Sequence, residues 1–315
     1  MKNKILLSVA VVAVLSLGVF GATGCAVTSH AVSKATLGTS SRSSALEAAL
    51  ASGPGVVELE SIESADWAVE RSGLINLKNP TAVDAGLVDG DEPIQVSFHV
   101  IRHPTKGTFI VDTGVEVALR DAPEKSAMSS LVRSQMHMEK LQVKRPLGEW
   151  VRDEKRLDGV FLTHLHLDHV TGMADVPAGT PVFVGPNEAR DAKVLYAFVQ
   201  GSTDRALAGK SLVEWQFEPD ADGAFDGVLD VFGDGMVWAL WVPGHTPGSM
   251  AFLVRTPNGP VLLTGDASHT RWGWEHHVEP GTFTGDAPRG VKSFEKLLAF
   301  AAKHPGLDVR FGHQR

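Results

Sequence analysis

Between Thr163 and His169 the chain reads Thr-His-Leu-His-Leu-Asp-His. Three imidazoles and a carboxylate follow directly on Leu157–Thr163 (LDGVFLT), which reads as a short buried strand. Imidazole and carboxylate together are the donor set of zinc and related divalent ions. In an irregular loop after a strand, His164 and His166 can face one metal while Asp168 and His169 turn toward a second. A run of surface histidines is the bland alternative, but such runs rarely enclose an Asp or follow a fully apolar strand.

Three further residues recur in loops at strand ends. His245 lies in Pro243-Gly-His-Thr-Pro-Gly-Ser249, where Pro and Gly fix a turn that can hold the ring against a metal. Asp266 lies in Leu262-Leu-Thr-Gly-Asp-Ala-Ser268, just after an apolar strand, where a carboxylate can give one oxygen to each of two cations. His313 follows the last strand in Arg310-Phe-Gly-His-Gln314. Singly, each also reads as a loop histidine or a turn aspartate. In this order they form a specific pattern.

The remaining features bound the class. A formal charge of −8 argues against a nucleic-acid partner, which needs a basic face. Lys2 and Lys4 precede an apolar run from Ile5 to Gly24, so residues 1–24 read as an export signal. Cys25, the sole cysteine, follows at once, and this arrangement resembles a bacterial lipoprotein signal. The resemblance implies lipid attachment at Cys25 and an exported protein of the periplasm or cell envelope. Ordinary cleavage and an uncleaved helix are the alternatives. Residues 26–55, rich in Ser, Ala, Thr and Gly, read mainly as a flexible tether before a catalytic domain over 56–315, with a short helix open to Arg42–Ala51.

Strands are expected at Ile94–Ile101, Gly107–Asp112, Leu157–Thr163, Pro181–Val184, Val228–Phe232, Met236–Val242, Met250–Arg255, Val261–Thr264 and Val309–Phe311. Helices are expected over Ser126–Leu141, from an Asn187 cap to about Val199, and over Val291–Ala302. Two runs of strands mixed with helices indicate α+β or α/β layering.

These motifs together resemble the metallo-β-lactamase superfamily over roughly residues 90–315. The resemblance implies an α+β fold, an αββα sandwich of two mixed β-sheets flanked by helices, with the metals at one edge. It implies that His164, His166 and His245 bind a first ion, that Asp168, His169 and His313 bind a second, and that Asp266 bridges. Asp112, in Val111-Asp-Thr-Gly114, corresponds to a family turn and would orient ligands by hydrogen bonding. The expected cofactor is a pair of divalent ions, zinc rather than iron, because redox members carry Glu where His166 stands.

The ligand gaps, the Asp266-Ala-Ser268 triplet and the Pro-Gly-His-Thr-Pro-Gly-Ser loop are similar to the N-acyl-homoserine lactonase branch. That branch has Tyr three residues after the bridging Asp; here the residue is His269. Two readings of His269 stand: an N–H donor to the substrate oxyanion, or a loop histidine supporting the ligands. Asp168 is the expected proton relay. Trp272, Trp274 and Phe283 can line an acyl pocket or form a packed lid. The Met-containing segment 126–141 can cover the cleft or pack as an amphipathic helix. The expected partner is a small ester or lactone. A β-lactam, thioester or phosphotriester is the alternative substrate, and a non-catalytic zinc-binding envelope protein is the alternative class. No Gly-x-Ser-x-Gly elbow occurs, so a serine nucleophile is not expected.

Overall fold

The computed structural model describes residues 30–154, 156–191, 198–207 and 209–314. The export segment, Cys25 and Tyr196 lie outside the described residues. No helix among the described residues is long and apolar enough to cross a membrane.

Two mixed sheets face each other. The eight-stranded sheet runs in the order Val32–Lys34, Leu212–Glu214, Val182–Val184, Gly159–Phe161, Gly107–Val111, Asp91–His103, Glu58–Glu70 and Gln142–Val143. Its first five strands pair in parallel and the rest antiparallel. The six-stranded sheet runs Asp308–Arg310, Gly259–Leu263, Met250–Thr256, Val237–Trp241, Gly227–Asp230 and Thr39–Ser41, with only the first pair parallel.

Period-two alternation builds three layers of core from these strands. Phe109, Val111 and Phe161 point into the space between the sheets, where they meet Phe252, Val254 and Leu263. Their neighbours Ile110, Val160 and Leu162 point the other way, toward Leu147, Trp150 and Met173. On the second sheet, Leu240, Ala251, Leu253 and Leu262 face outward against Leu297 and Phe300. Those two side chains belong to the helix Ala287–Lys303, which buries Gly290, Ser293, Phe294, Leu297 and Phe300 along one stripe. Asp286 caps it by accepting from the Arg289 N–H at 3.2 Å. Helices thus cover both outer faces, which is the expected αββα sandwich.

The expected tether over 26–55 is not a tether from His30 onward. Val32–Lys34 and Thr39–Ser41 each complete an edge of a sheet, and Ser43–Ala51 is a helix whose Leu46 is fully buried beside Trp238 and Phe300. Polar composition hid this, because two short edge strands need few apolar residues. The helix expected over Ser126–Leu141 is shorter: Ser130–Gln135 is helical, and His137 at φ 52° breaks the chain before a 3-10 turn at Met138–Lys140. Asn187, expected as a helix cap, lies at φ 63° and opens only a 3-10 turn at Glu188–Arg190; the next described helix is Gln200–Leu207. The long strand Glu58–Glu70 was not expected. Its acids sit on the exposed side, and its register slips at a bulge between Glu63 and Ala65.

Leu46→Ala is predicted to lower unfolding stability by about 2–5 kcal/mol, measured by denaturant titration. An unchanged midpoint would mean that residues 43–51 do not belong to the folded unit.

Candidate metal centre

Each candidate ligand lies just beyond the C-terminal end of a strand, Asp168 and His169 on the one-turn helix Leu167–Val170 and Asp266 in the 3-10 turn Gly265–Ala267. His164 to His169 follow Gly159–Phe161, His245 follows Val237–Trp241, Asp266 follows Gly259–Leu263 and His313 follows Asp308–Arg310. The last three strands run in one direction within their sheet, so their loops emerge on one edge. The backbone ties the loops together: Met250 N–H donates to Thr163 O at 3.0 Å, and His313 N–H donates to His269 O at 3.0 Å. Gly312 is required by closeness, since a Cβ there would lie 2.3 Å from Asp266 Oδ1.

Two groups of donor atoms result, each within 4.8 Å of one another: His164, His166, His245 and Asp266, then Asp168, His169 and His313. His245 Nε2 stands 3.1 Å from His164 Nε2 and 2.8 Å from His166 Nδ1. Burial, reinforced by neighbouring imidazoles, holds His164 and His245 well below the usual histidine range. They are therefore neutral at pH 7, the form that binds a metal. Two lone pairs this close repel, so either one ring donates an N–H to the next or a cation lies among them.

Asp266 stands between the two groups and is buried. Its Oδ2 lies 3.7 Å from His164 Nε2 and 3.3 Å from His245 Nε2. Its Oδ1 lies 3.4 Å from His169 Nε2, and His313 Nε2 stands 3.3 Å from both oxygens. Donor atoms each about 2.0–2.1 Å from a shared zinc would be about 3 Å apart. The separations fit two ions with one carboxylate between them. Burial alone would raise the Asp266 pKa, but the rings of His313, His169, His269 and His245 hold it well below the carboxylate range. His169 and His313 move the opposite way: burial disfavours their charge, yet Asp266 and nearby carboxylates raise both. Asp168 closes the second group, with Oδ2 3.4 Å from His313 Nε2.

Hydrogen bonds on the far side aim His164, His169 and His313. His169 Nδ1–H donates to Asp112 Oδ2 at 2.8 Å. The Thr163 hydroxyl donates to the same carboxylate at 2.8 Å and can accept from His164 Nδ1 at 3.1 Å. Asp112 also accepts from the Thr163 backbone at 2.8 Å. One carboxylate thereby sets the tautomers of two rings, and it does so from a left-handed backbone at φ 57°. His313 Nδ1–H donates to the Gln95 carbonyl at 3.2 Å.

Sequence reasoning missed Glu188. Its buried carboxylate accepts from Leu165 N–H at 2.7 Å, the Thr246 hydroxyl at 2.6 Å and Gly248 N–H at 3.0 Å. These donors flank His164, His166 and His245, so one side chain braces both loops of the first group. Burial, opposed by these bonds, pushes its carboxyl up to about 7. Its place just past the strand Val182–Val184 was the available signal, since other site residues share that placement.

A cavity of about 390 Å³ opens on the centre, with His166, Asp168, His245, Asp266 and His313 in its floor. Trp67, Val69, Leu74, Ile94, Met136 and Phe283 contribute to its apolar wall. Trp272 and Trp274 do not line it. They sit two apart on the short helix Arg271–Glu275 and so face different sides; Trp272 stacks on His276 at 4.3 Å, while Trp274 packs against Phe294 and Phe311. Met136 places part of segment 126–141 over the cavity, and Met128 packs in the core. His269 is buried beside the centre, its Nε2 3.3 Å from Asp266 Oδ2.

Comparison with known proteins shows the family. Residues 48–303 match the model of the metallo-beta-lactamase superfamily, and the chain belongs to that superfamily. It is 34% identical over 228 residues to the N-acyl homoserine lactonase AttM of Agrobacterium fabrum, covering 71% of this chain and 83% of the relative. It is 26% identical over 232 residues to the gamma-lactamase FDB1 of Fusarium pseudograminearum, covering 69% of this chain and 56% of that relative. Its fold is similar to that of a B. thuringiensis AiiA mutant with N-decanoyl-L-homoserine bound at the active site, at TM-score 0.58 and 20% identity, covering 82% of this chain and 94% of the other.

The bracing can be tested from both sides. Asp112→Asn should weaken divalent-metal binding about 10–100-fold, read by chelator competition, with circular dichroism unchanged. Glu188→Gln sets an amide N–H against the Gly248 N–H and should lower stability by roughly 1–3 kcal/mol, read by thermal melting. Equal melting of the two proteins would remove Glu188 from the frame of the site.

Proposed function

We propose that the protein is a dinuclear zinc hydrolase that opens lactone rings, with N-acyl-homoserine lactones as the leading substrates. The observation that carries this reading is the carboxylate of Asp266 standing between the two donor groups, with Oδ2 toward His164 and His245, Oδ1 toward His169, and His313 within 3.3 Å of both oxygens. The histidine and aspartate set suits zinc. His164, His166, His245 and Asp266 would hold one ion; Asp168, His169, His313 and Asp266 would hold the other. Two bound ions supply Lewis acidity and make a water acidic enough to attack a carbonyl at neutral pH.

The chain's own residues supply the rest. Asp168 is partly exposed to the cavity, where its carboxylate can take a proton from the attacking water and pass it to the departing ring oxygen. The new bond joins water oxygen to the carbonyl carbon, the ring C–O bond breaks, and a hydroxy acid leaves. The apolar wall formed by Trp67, Val69 and Met136 suits an acyl chain and excludes water around it. The name of the Agrobacterium relative supports the same substrate class.

The test is hydrolysis of N-acyl-homoserine lactones of several chain lengths by the zinc-loaded protein, beside nitrocefin, a thioester and paraoxon. Lactone opening that vanishes with chelator is expected. Turnover confined to another member of the panel would replace the lactone reading. Asp266→Ala should lose one ion and nearly all turnover; full metal content with wild-type rate would end the bridging role.

A further inference from the structure

Part of the cavity rim is pinned by backbone at both ends. Thr282 N–H donates to Ser72 O at 2.9 Å, and Phe283 N–H donates to Gly73 O at 3.2 Å. Further along, Gly285 N–H donates to His245 O at 3.0 Å, and Asp286 N–H donates to Gly244 O at 2.8 Å. Residues 282–286 are therefore a strap between the short helix Arg71–Leu74 and the loop that carries His245. Phe283 lies on this strap. Its ring lines the cavity, yet it is 44% exposed, so it stands at the mouth.

The ring rests on a glycine. A Cβ at Gly73 would overlap Cε2 and Cζ of Phe283. Gly73 is buried within its helix and its backbone is not left-handed, so conformation does not call for glycine there. Glycine in a helix is less stable than alanine. What the missing side chain provides is a seat for the ring. Strap and seat together fix a large apolar surface that no protein group covers fully.

The wall beneath that ring leads inward. Leu74, the next residue after the seat, also lines the cavity and is buried. Its carbonyl accepts from His269 Nδ1–H at 3.2 Å, and His269 stands beside Asp266. Leu74 thus marks the metal end of the wall and Phe283 the solvent end. A short acyl chain would end against Leu74 and Ile94, whereas a long one would continue outward and cover the exposed ring. We propose that Phe283, seated on Gly73, is a specificity-determining residue that makes this protein prefer long acyl chains. The proposal rests on the lactone reading and deepens it.

The test is the ratio of kcat/KM for decanoyl-homoserine lactone to that for butanoyl-homoserine lactone, measured on the zinc-loaded full chain. The unaltered protein should favour the decanoyl substrate, and Phe283→Ala should lower the ratio about tenfold. Gly73→Ala should lower it as well, because a ring displaced inward blocks the long chain and one displaced outward loses contact with it. In a Phe283→Ala background, Gly73→Ala should lower it no further. A ratio that Phe283→Ala leaves unchanged would overturn the proposal while the lactone reading stands. An effect of Gly73→Ala that persists without the ring would overturn the seat. Should Gly73→Ala fail to fold, Phe283→Ala alone decides. A protein that opens neither lactone would overturn the lactone reading and this proposal with it.

Discussion

The carboxylate of Asp266 organises the centre. Ring nitrogens of His164, His169, His245, His269 and His313 all come within 3.7 Å of one of its oxygens. Such crowding is unfavourable without compensating positive charge, because buried polar atoms need partners. Burial disfavours charge on all four rings, but Asp266 and nearby carboxylates raise the pKa values of His169 and His313, while neighbouring imidazoles help to lower those of His164 and His245. His164 and His245 lie toward Oδ2 and His169 toward Oδ1, with His313 Nε2 3.3 Å from both oxygens. A pair of divalent ions would satisfy both sides at once.

The fold serves this arrangement by delivering loops from two sheets to one edge. The inner faces are packed with Phe109, Phe161, Phe183, Trp215 and Phe252, which leaves the sheets little freedom to slide. Asp112 and Glu188 then act as struts. Asp112 joins the turn after Gly107–Val111 to the His164–His169 loop, and Glu188 joins that loop to the one bearing His245. Thr163, His169, Leu165, Thr246 and Gly248 donate to these two carboxylates, and each lies on or beside a loop bearing a candidate ligand. The placing of the candidate ligands is therefore set by hydrogen bonds from these two carboxylates as well as by the strands that carry them.

Much of this was legible in the sequence. The candidate ligands cluster just after apolar strands, so composition changes abruptly where the chemistry begins; the strands Val182–Val184, Met250–Thr256 and Gly259–Leu263 fall within a residue or two of expectation. What the sequence hid were features without an apolar signature. Glu58–Glu70 carries acids on its open side, and the edge strands at 32–34 and 39–41 are small and polar. Trp272 and Trp274 looked equivalent, but helical spacing sends them to different neighbours. The tautomer of His269 depends on a carbonyl 195 positions away, which no local pattern encodes.

The central claim is that two ions share Asp266. Anomalous diffraction at the zinc edge, from crystals of the zinc-loaded protein, tests it most directly. The account predicts two peaks about 3.5–4 Å apart, one beside His164, His166 and His245 and the other beside Asp168, His169 and His313. A single peak, or zinc bound away from Asp266, would contradict it.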